Sequence, residues 1–146
     1  MLARVRTLLE SVSTLSLATS DAAGAPHAAN LNFAVDGRLR PLFVSRPGSA
    51  HARNLAADPR VAATLYAPFA TLEQIAGLQI RGTCVRLPPE AFDACWEIFL
   101  GRFPYAAALE TLARAEQRFF RIEPEWVRLI DNSQGFGFKQ EGPWPA

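Results

Sequence analysis

The sequence predicts a mainly β, α+β chain: an antiparallel barrel of about six short strands with flanking helices. Three observations carry that expectation. Period-two runs recur with turn residues between them. Asp36-Gly37 joins two of these runs too tightly for a parallel crossover, which also excludes a doubly wound parallel sheet. Helical periodicity is confined to the start, to a short piece after the third strand and to the segment before the last strands. Closing such a sheet on itself removes its exposed edges.

Leu2, Val5, Leu8, Leu9 and Val12 fall at helical spacing and predict an amphipathic helix over 1–12. Thr14 to Thr19 alternates as a strand, Ser20-Asp21-Ala22-Ala23-Gly24 supplies a turn, and a second extended run follows from Pro26 to Val35. Asp36-Gly37 suits the positive φ angles of a two-residue hairpin. The returning strand is Arg38 to Ser45, with Pro41 at an edge or bulge because it cannot donate to a ladder. Ser49 as N-cap and Asp58-Pro59 as stop bound a short helix. Val61 to Tyr66 is a strand, and Leu78 to Leu87 alternates as another, with Gly82 marking a bulge, a bend or a close approach. Pro88-Pro89-Glu90 opens a longer helix whose stripe is Phe92, Cys95, Trp96 and Phe99, ended by Gly101. A helical piece covers Ala106 to Ala115. Arg118 to Glu123 and Trp126 to Ile130 then read as a final strand pair interrupted by Pro124. Nothing divides the chain, so residues 1–146 are expected to form one domain with 140–146 as a tail.

Composition narrows the function. With 146 residues, 49% of them hydrophobic, the chain can bury one sizeable core. A formal charge of +1, from 15 basic against 14 acidic residues, provides no general attraction to nucleic acid or anionic membrane. The apolar runs are short and the first residues lack a secretion signal, so a cytoplasmic location is expected. Cys84 and Cys95 are too few for a disulfide framework, and neither His27 nor His51 sits at a metal-ligand spacing. No G-x-S-x-G segment supports a serine nucleophile, and no catalytic residue is assigned.

The segment from Pro41 to Arg60 carries the strongest chemical signal. Strand, glycine turn and helix follow in succession, so the free N–H groups of the helix start suit an anion near Ser49. Ser45, Ser49, His51 and Arg53 converge there if the turn is tight; the alternative is a capped helix whose polar residues face water. Asn30 and Asn32 share one strand face and could bond a planar polar ligand. Gln79, Arg81 and Thr83 form another polar face that is solvated, lines a cavity or meets a second subunit. Trp126 and Trp144 offer aromatic surface. Gly135-Phe136-Gly137-Phe138-Lys139 lacks the spacing of a nucleotide loop.

The order of these motifs resembles a known family. An Asp-Gly hairpin, a strand ending Leu42-Phe43-Val44-Ser45, then Ser49-x-His51-x-x-Asn54-Leu55-x-x-Asp58-Pro59 and Val61-Ala62-Ala63-Thr64-Leu65-Tyr66 are similar to the FMN-binding split-barrel proteins related to pyridoxamine 5'-phosphate oxidase. Leu78 to Cys84 looks like the family's long strand with its internal glycine, and Phe119 to Asp131 like its closing strands. The resemblance covers most of residues 13–139. It implies a six-stranded split barrel, a homodimer and FMN at the subunit interface. Ser49, His51 and Arg53 would then serve the phosphate, with Ser45 and Asn32 nearer the flavin ring, Asn30 a further cofactor-binding candidate on the same strand, and Gln79, Arg81 and Trp126 on the opposing wall. It further implies hydride or electron transfer between flavin and a small molecule, with a nicotinamide cofactor or oxygen as redox partner. The alternatives are a flavin- or haem-binding dimer without turnover and a cofactor-free barrel for small ligands. Two departures stand out: His51 occupies a position where many relatives carry lysine, and no arginine stands near Ala29 or Asn30.

Overall fold

The computed structural model describes residues Met1–Ala146. Helix α1 (Leu2–Ser11) buries Val5, Leu8 and Leu9 of the stripe its periodicity foretold, with Val12 buried just beyond it, whereas Leu2 at its start is exposed. It leads into β1 (Thr14–Ser20) and β2 (Pro26–Asn32), which pair antiparallel from Thr14 opposite Asn32 to Ser20 opposite Pro26. After β3 (Ala34–Val35) and β4 (Pro41–Ser45) comes α2 (Ala50–Ala57), capped by Ser49. The long antiparallel run is β5 (Arg60–Tyr66), β6 (Ala76–Arg86) and β7 (Arg118–Asp131). Between β6 and β7 stand α3 (Phe92–Arg102), a 3-10 segment Pro104–Leu109 and α4 (Glu110–Glu116). The last strand is β8 (Lys139–Pro143).

Every strand pair is antiparallel, in the order β2-β1-β5-β6-β7-β4-β3 with β8 added to β7. β2 and β3 stand at opposite ends of that order, yet only Phe33 separates them in the chain. The sheet therefore curls until its ends meet there, as the expected barrel requires. It has eight strands rather than six. The run from Pro26 to Val35 is broken at Phe33, which is fully buried and bonds back to the Ser13 carbonyl at 3.1 Å. The segment read from the sequence as a tail contributes β8, which pairs with the edge of β7 beyond β4.

Two further expectations are corrected. Asp36-Gly37 does not make a two-residue hairpin: β3 ends at Val35 and β4 begins at Pro41, leaving a wider loop. The Asp36 carboxylate accepts from the Arg38 and Arg40 N–H groups at 2.9 and 3.0 Å, and Leu39, not Gly37, has positive φ (59°). That conformation costs a branched residue about 1–2 kcal/mol, offset because the Leu39 side chain is buried. Pro124 does not split the last strands either. β7 runs unbroken past it, with a register shift opposite Arg81 and Gly82, so that Gly82 faces Pro124 and Arg81 faces Trp126. A bulge absorbs the missing donor of proline without ending the ladder.

Two apolar clusters lie on either side of the curled sheet. Leu17, Phe43, Ile80, Phe120 and Val127 fill the interior beneath Leu8 and Leu9 of α1. Leu42 and Phe119 face the other way and pack against Phe92, Trp96 and Phe99 of α3. Phe119 and Phe120 are consecutive on β7, so the period-two pleat assigns them to different layers.

Asp131, buried at the end of β7, ties this architecture to α1. Its carboxylate accepts from Arg4 Nε at 3.0 Å, Ser133 Oγ at 2.6 Å and Gln134 Nε2 at 3.2 Å. Burial acts to raise its pKa, but the hydrogen bonds from Ser133 and Gln134 and the charge of Arg4 hold it below the ordinary 3.8. A carboxylate depressed in the folded state stabilises above its unfolded pKa, and that contribution is lost as pH falls through the folded value. Asp131→Asn should therefore lose less stability than the wild type between about pH 5 and pH 3. Urea midpoints at the two pH values test this, and equal losses would refute the assignment.

Candidate functional site

Arg46-Pro47-Gly48 turns the chain from β4 into α2, closed by Ser49 N–H to the Arg46 carbonyl at 3.1 Å. The turn is tight, and it brings three of the expected residues together. His51 Nε2 lies 2.7 Å from Ser45 Oγ and 3.2 Å from Ser49 Oγ, and the two hydroxyls are 3.3 Å apart. Ser49 also accepts the Ala52 N–H at 3.3 Å, which completes its capping role. Asn54 on the next turn donates to Thr19 Oγ1 at 3.0 Å and pins α2 to β1. The His51 ring sits edge-on to Phe43 at 6.0 Å and is only 8% exposed. Burial, and next the nearby charge of His27, lower its pKa below 6.5, so it is neutral at pH 7. Ala50 and His51, at the first two helical positions, have N–H groups without intrahelical acceptors.

Arg53 does not join this cluster. Two residues on from His51, it is rotated about 200° around the helix and lines a separate cavity with Arg86 and Cys84. The remaining expected residues lie on the outer sheet face. There the register builds a polar row that sequence reasoning could not assemble: Asn30, Ser16, Thr64, Gln79, Arg128 and Glu141 stand successively opposite one another across β2, β1, β5, β6, β7 and β8. Ser16 Oγ bonds Asn30 Oδ1 at 2.7 Å, and Arg128 reaches Gln79 at 3.3 Å and Glu141 at 2.5 Å. The adjacent row begins with the small residues Ala28, Ala18 and Ala62 and continues into Arg81, which lies 3.9 Å over the Trp126 ring.

Two recesses flank these rows. One, of about 390 Å3, is bordered by Thr14, Ser16, Asn30, Thr64 and Tyr66. The other, of about 210 Å3, lies between Val44 and the aromatic residues Trp96, Phe99 and Phe103, with Asn32 and Gln117 as its polar members. Asn32 also accepts from Thr14 Oγ1 at 3.1 Å. Sequence reasoning assigned the α3 aromatics to core, and their stripe gave no sign that part of it borders a recess. The 73% exposure of Tyr105, just beyond α3, became visible only in the folded chain.

The family profile described as pyridoxamine 5'-phosphate oxidase matches residues 1–131. The chain belongs to the pyridoxamine 5'-phosphate oxidase family. Within reach of this family member are the UPF0306 protein plu4501 of Photorhabdus laumondii, 26% identical over 97 residues, and the UPF0306 protein YhbP of Salmonella schwarzengrund, 32% identical over 89. The first alignment covers 66% of this chain and 64% of the relative, the second 61% and 56%, so each spans less than two thirds of the relative's length. Among solved structures, a heme binding protein from Mycobacterium smegmatis superposes with a TM-score of 0.80 at 23% identity, over 96% of this chain and 56% of that one. An F420 reductase superposes at 0.64 with 23% identity, over 84% and 94%. These two likenesses show the fold.

Members of this family commonly bind a flavin, and the donor set at the start of α2 suits a phosphate group. Two hydroxyls and two unpaired helix-start N–H groups converge, and no carboxylate bonds to Ser45, Ser49 or His51. With His51 neutral, these donors are uncharged. No three His, Cys, Asp or Glu side chains converge on a metal position, and Cys84 and Cys95 are buried thiols. No helix is long and apolar enough to cross a membrane.

Proposed function

We propose that this member of the pyridoxamine 5'-phosphate oxidase family binds FMN and serves as an oxidoreductase for a small molecule. The observation that carries the reading is the Ser45–Ser49–His51 cluster at the N-terminus of α2. Ser45 and Ser49 offer hydroxyl donors to a phosphate, the helix start adds oriented N–H groups, and His51 holds both hydroxyls in place. Asn30 and Asn32 present amides on the outer sheet face, where a planar polar group finds both donors and acceptors. The recess beside Val44 offers the apolar edges of Trp96, Phe99 and Phe103 as packing surface for whatever lies against it. Bound FMN would supply hydride or electron transfer through its ring, with a nicotinamide cofactor or oxygen as redox partner. A second copy of the chain, seated on the alanine row with Arg81, Gln79 and Trp126 at its border, would complete the enclosure as a homodimer.

Titrating FMN by fluorescence quenching tests the reading, since Ser49→Ala and His51→Ala should each weaken binding by about tenfold. Unchanged affinity in both would remove the phosphate from α2. Protein that is colourless as purified and fails to bind added FMN would refute the flavin reading outright. Reduction of the bound cofactor by NADH or NADPH then reports turnover. A second reading is haem binding, as named for the Mycobacterium smegmatis neighbour, with the exposed imidazole of His27 on β2 as the available haem ligand. A haem band without flavin bands in the visible spectrum would select it.

A further inference from the structure

A second cavity lies on the far side of α2 and has no part in the flavin reading. It measures about 190 Å3 and is lined by Ala52, Leu55 and Ala56 of the helix, Cys84 and Arg86 of β6 and Phe120 of β7, with Pro47 and Arg53 at its border. Its lining contains two arginines and no carboxylate. Most arginines of the chain pair with an acidic side chain, as Arg4, Arg40, Arg60, Arg114, Arg121 and Arg128 do. Arg53 and Arg86 form no such pair and share a cavity instead. Both side chains are exposed at the rim of the cavity, where their guanidiniums are available to an anion entering it.

The floor narrows the ligand further. Leu55, Ala52 and Phe120 belong to the interior core. Burial pushes the Cys84 thiol up to about 12, so the floor is uncharged at neutral pH. The volume is below the roughly 300 Å3 at which drug-sized ligand pockets begin, which excludes a nucleotide or FMN and admits a fragment with a short apolar body. A carboxylate head suits the planar fork of a guanidinium, and the body replaces water against Phe120 and Leu55. A chain of ring contacts separates the two sites: His51 meets Phe43 at 6.0 Å, Phe43 stacks on Phe120 at 5.3 Å, and Phe120 lines the cavity.

We infer that the cavity between α2 and the β6–β7 pair is a binding site for a small carboxylic acid with an aromatic or branched aliphatic body, held by Arg53 and Arg86 over an apolar floor. The site is separate from the proposed flavin position and is served by the opposite face of the same helix.

Benzoate is the probe. Amide NMR titration of the full chain with sodium benzoate should give saturable shifts confined to residues 52–56, 84–86 and 120. Arg86→Gln and Arg53→Gln should each weaken binding by about tenfold, and benzyl alcohol, which keeps the ring but lacks the charge, should bind at least about tenfold more weakly than benzoate. Ala56→Phe, which occupies the cavity without removing a charge, should abolish the shifts. Absence of saturable shifts up to about 20 mM benzoate overturns the inference. So does wild-type benzoate affinity in both arginine variants, and so does inorganic phosphate binding as tightly as benzoate, because the apolar floor would then be unused. Arg86→Gln should retain wild-type FMN affinity, so failure of the benzoate site and failure of the flavin reading register in different titrations.

Discussion

Gly82→Val should destabilise the protein by about 3 kcal/mol or more, lowering its melting temperature by roughly 10 °C. A Cβ at this position would fall against the Glu123 carbonyl oxygen and lie 3.0 Å from Pro124 Cα. Both obstacles are backbone atoms in the central β6–β7 ladder, so no side chain can swing aside to make room. The requirement is for space rather than for an unusual backbone angle, since Gly82 is not among the positive-φ glycines. Thermal denaturation of Gly82→Val beside Gly101→Ala checks it, because a Cβ at Gly101 meets nothing within 4 Å. The Gly101 variant should melt close to the wild type or slightly above it, given the helix preference of alanine. If Gly82→Val also melted within about 2 °C of the wild type, the close approach would not constrain the sheet. The same bulge sets Arg81 opposite Trp126, so the substitution should disturb the outer face together with the core.

Arg102→Ala is expected to cost about 2–4 kcal/mol. The guanidinium reaches from the last turn of α3 to three carbonyl oxygens: Phe33 at 3.0 Å, Glu10 at 2.8 Å and Val12 at 2.7 Å. It also lies 4.8 Å over the Phe33 ring. One side chain thereby joins α3 to the C-terminal end of α1 and to the break between β2 and β3, where the barrel closes. The carbonyls at the end of α1 lack intrahelical donors, and without Arg102 these three lose the only side-chain donor they share. Arg102→Lys should recover only part of the loss, because a single ammonium cannot reproduce the fork that serves all three. Urea unfolding of both variants provides the measurement. A loss below about 0.5 kcal/mol for Arg102→Ala would show that water replaces the guanidinium at no cost.

The parts of the fold that depend on nearby residues were legible without coordinates. Val5, Leu8 and Leu9 on α1, Ser49 and Asp58 at the ends of α2, and the Phe92–Phe99 stripe of α3 all stand where helical periodicity and capping chemistry put them. The Ser45–Ser49–His51 cluster was legible for the same reason, since seven consecutive residues and one tight turn contain it. Arg53 marks the limit of that reasoning. Close spacing on the chain suggested one site, whereas helical rotation sends Arg53 to another face. Phe33, Pro124 and the segment after Lys139 were misread because their local signals describe what a residue cannot donate or where a chain can loosen, and not which partner strand waits opposite.

The sequence by itself therefore determined the helices, most of the strands, the antiparallel class and one polar cluster, since hydrophobic period, turn chemistry and capping act within a few residues. Only the tertiary structure decided the eight-strand count, the unbroken β7, the polar row from Asn30 to Glu141 and the pairing of Arg53 with Arg86 across a cavity. Those features depend on register between distant strands and on which side of a helix meets the sheet. A shift of one residue in register would exchange the two faces of a strand, and the buried apolar layer as a whole selects against that shift.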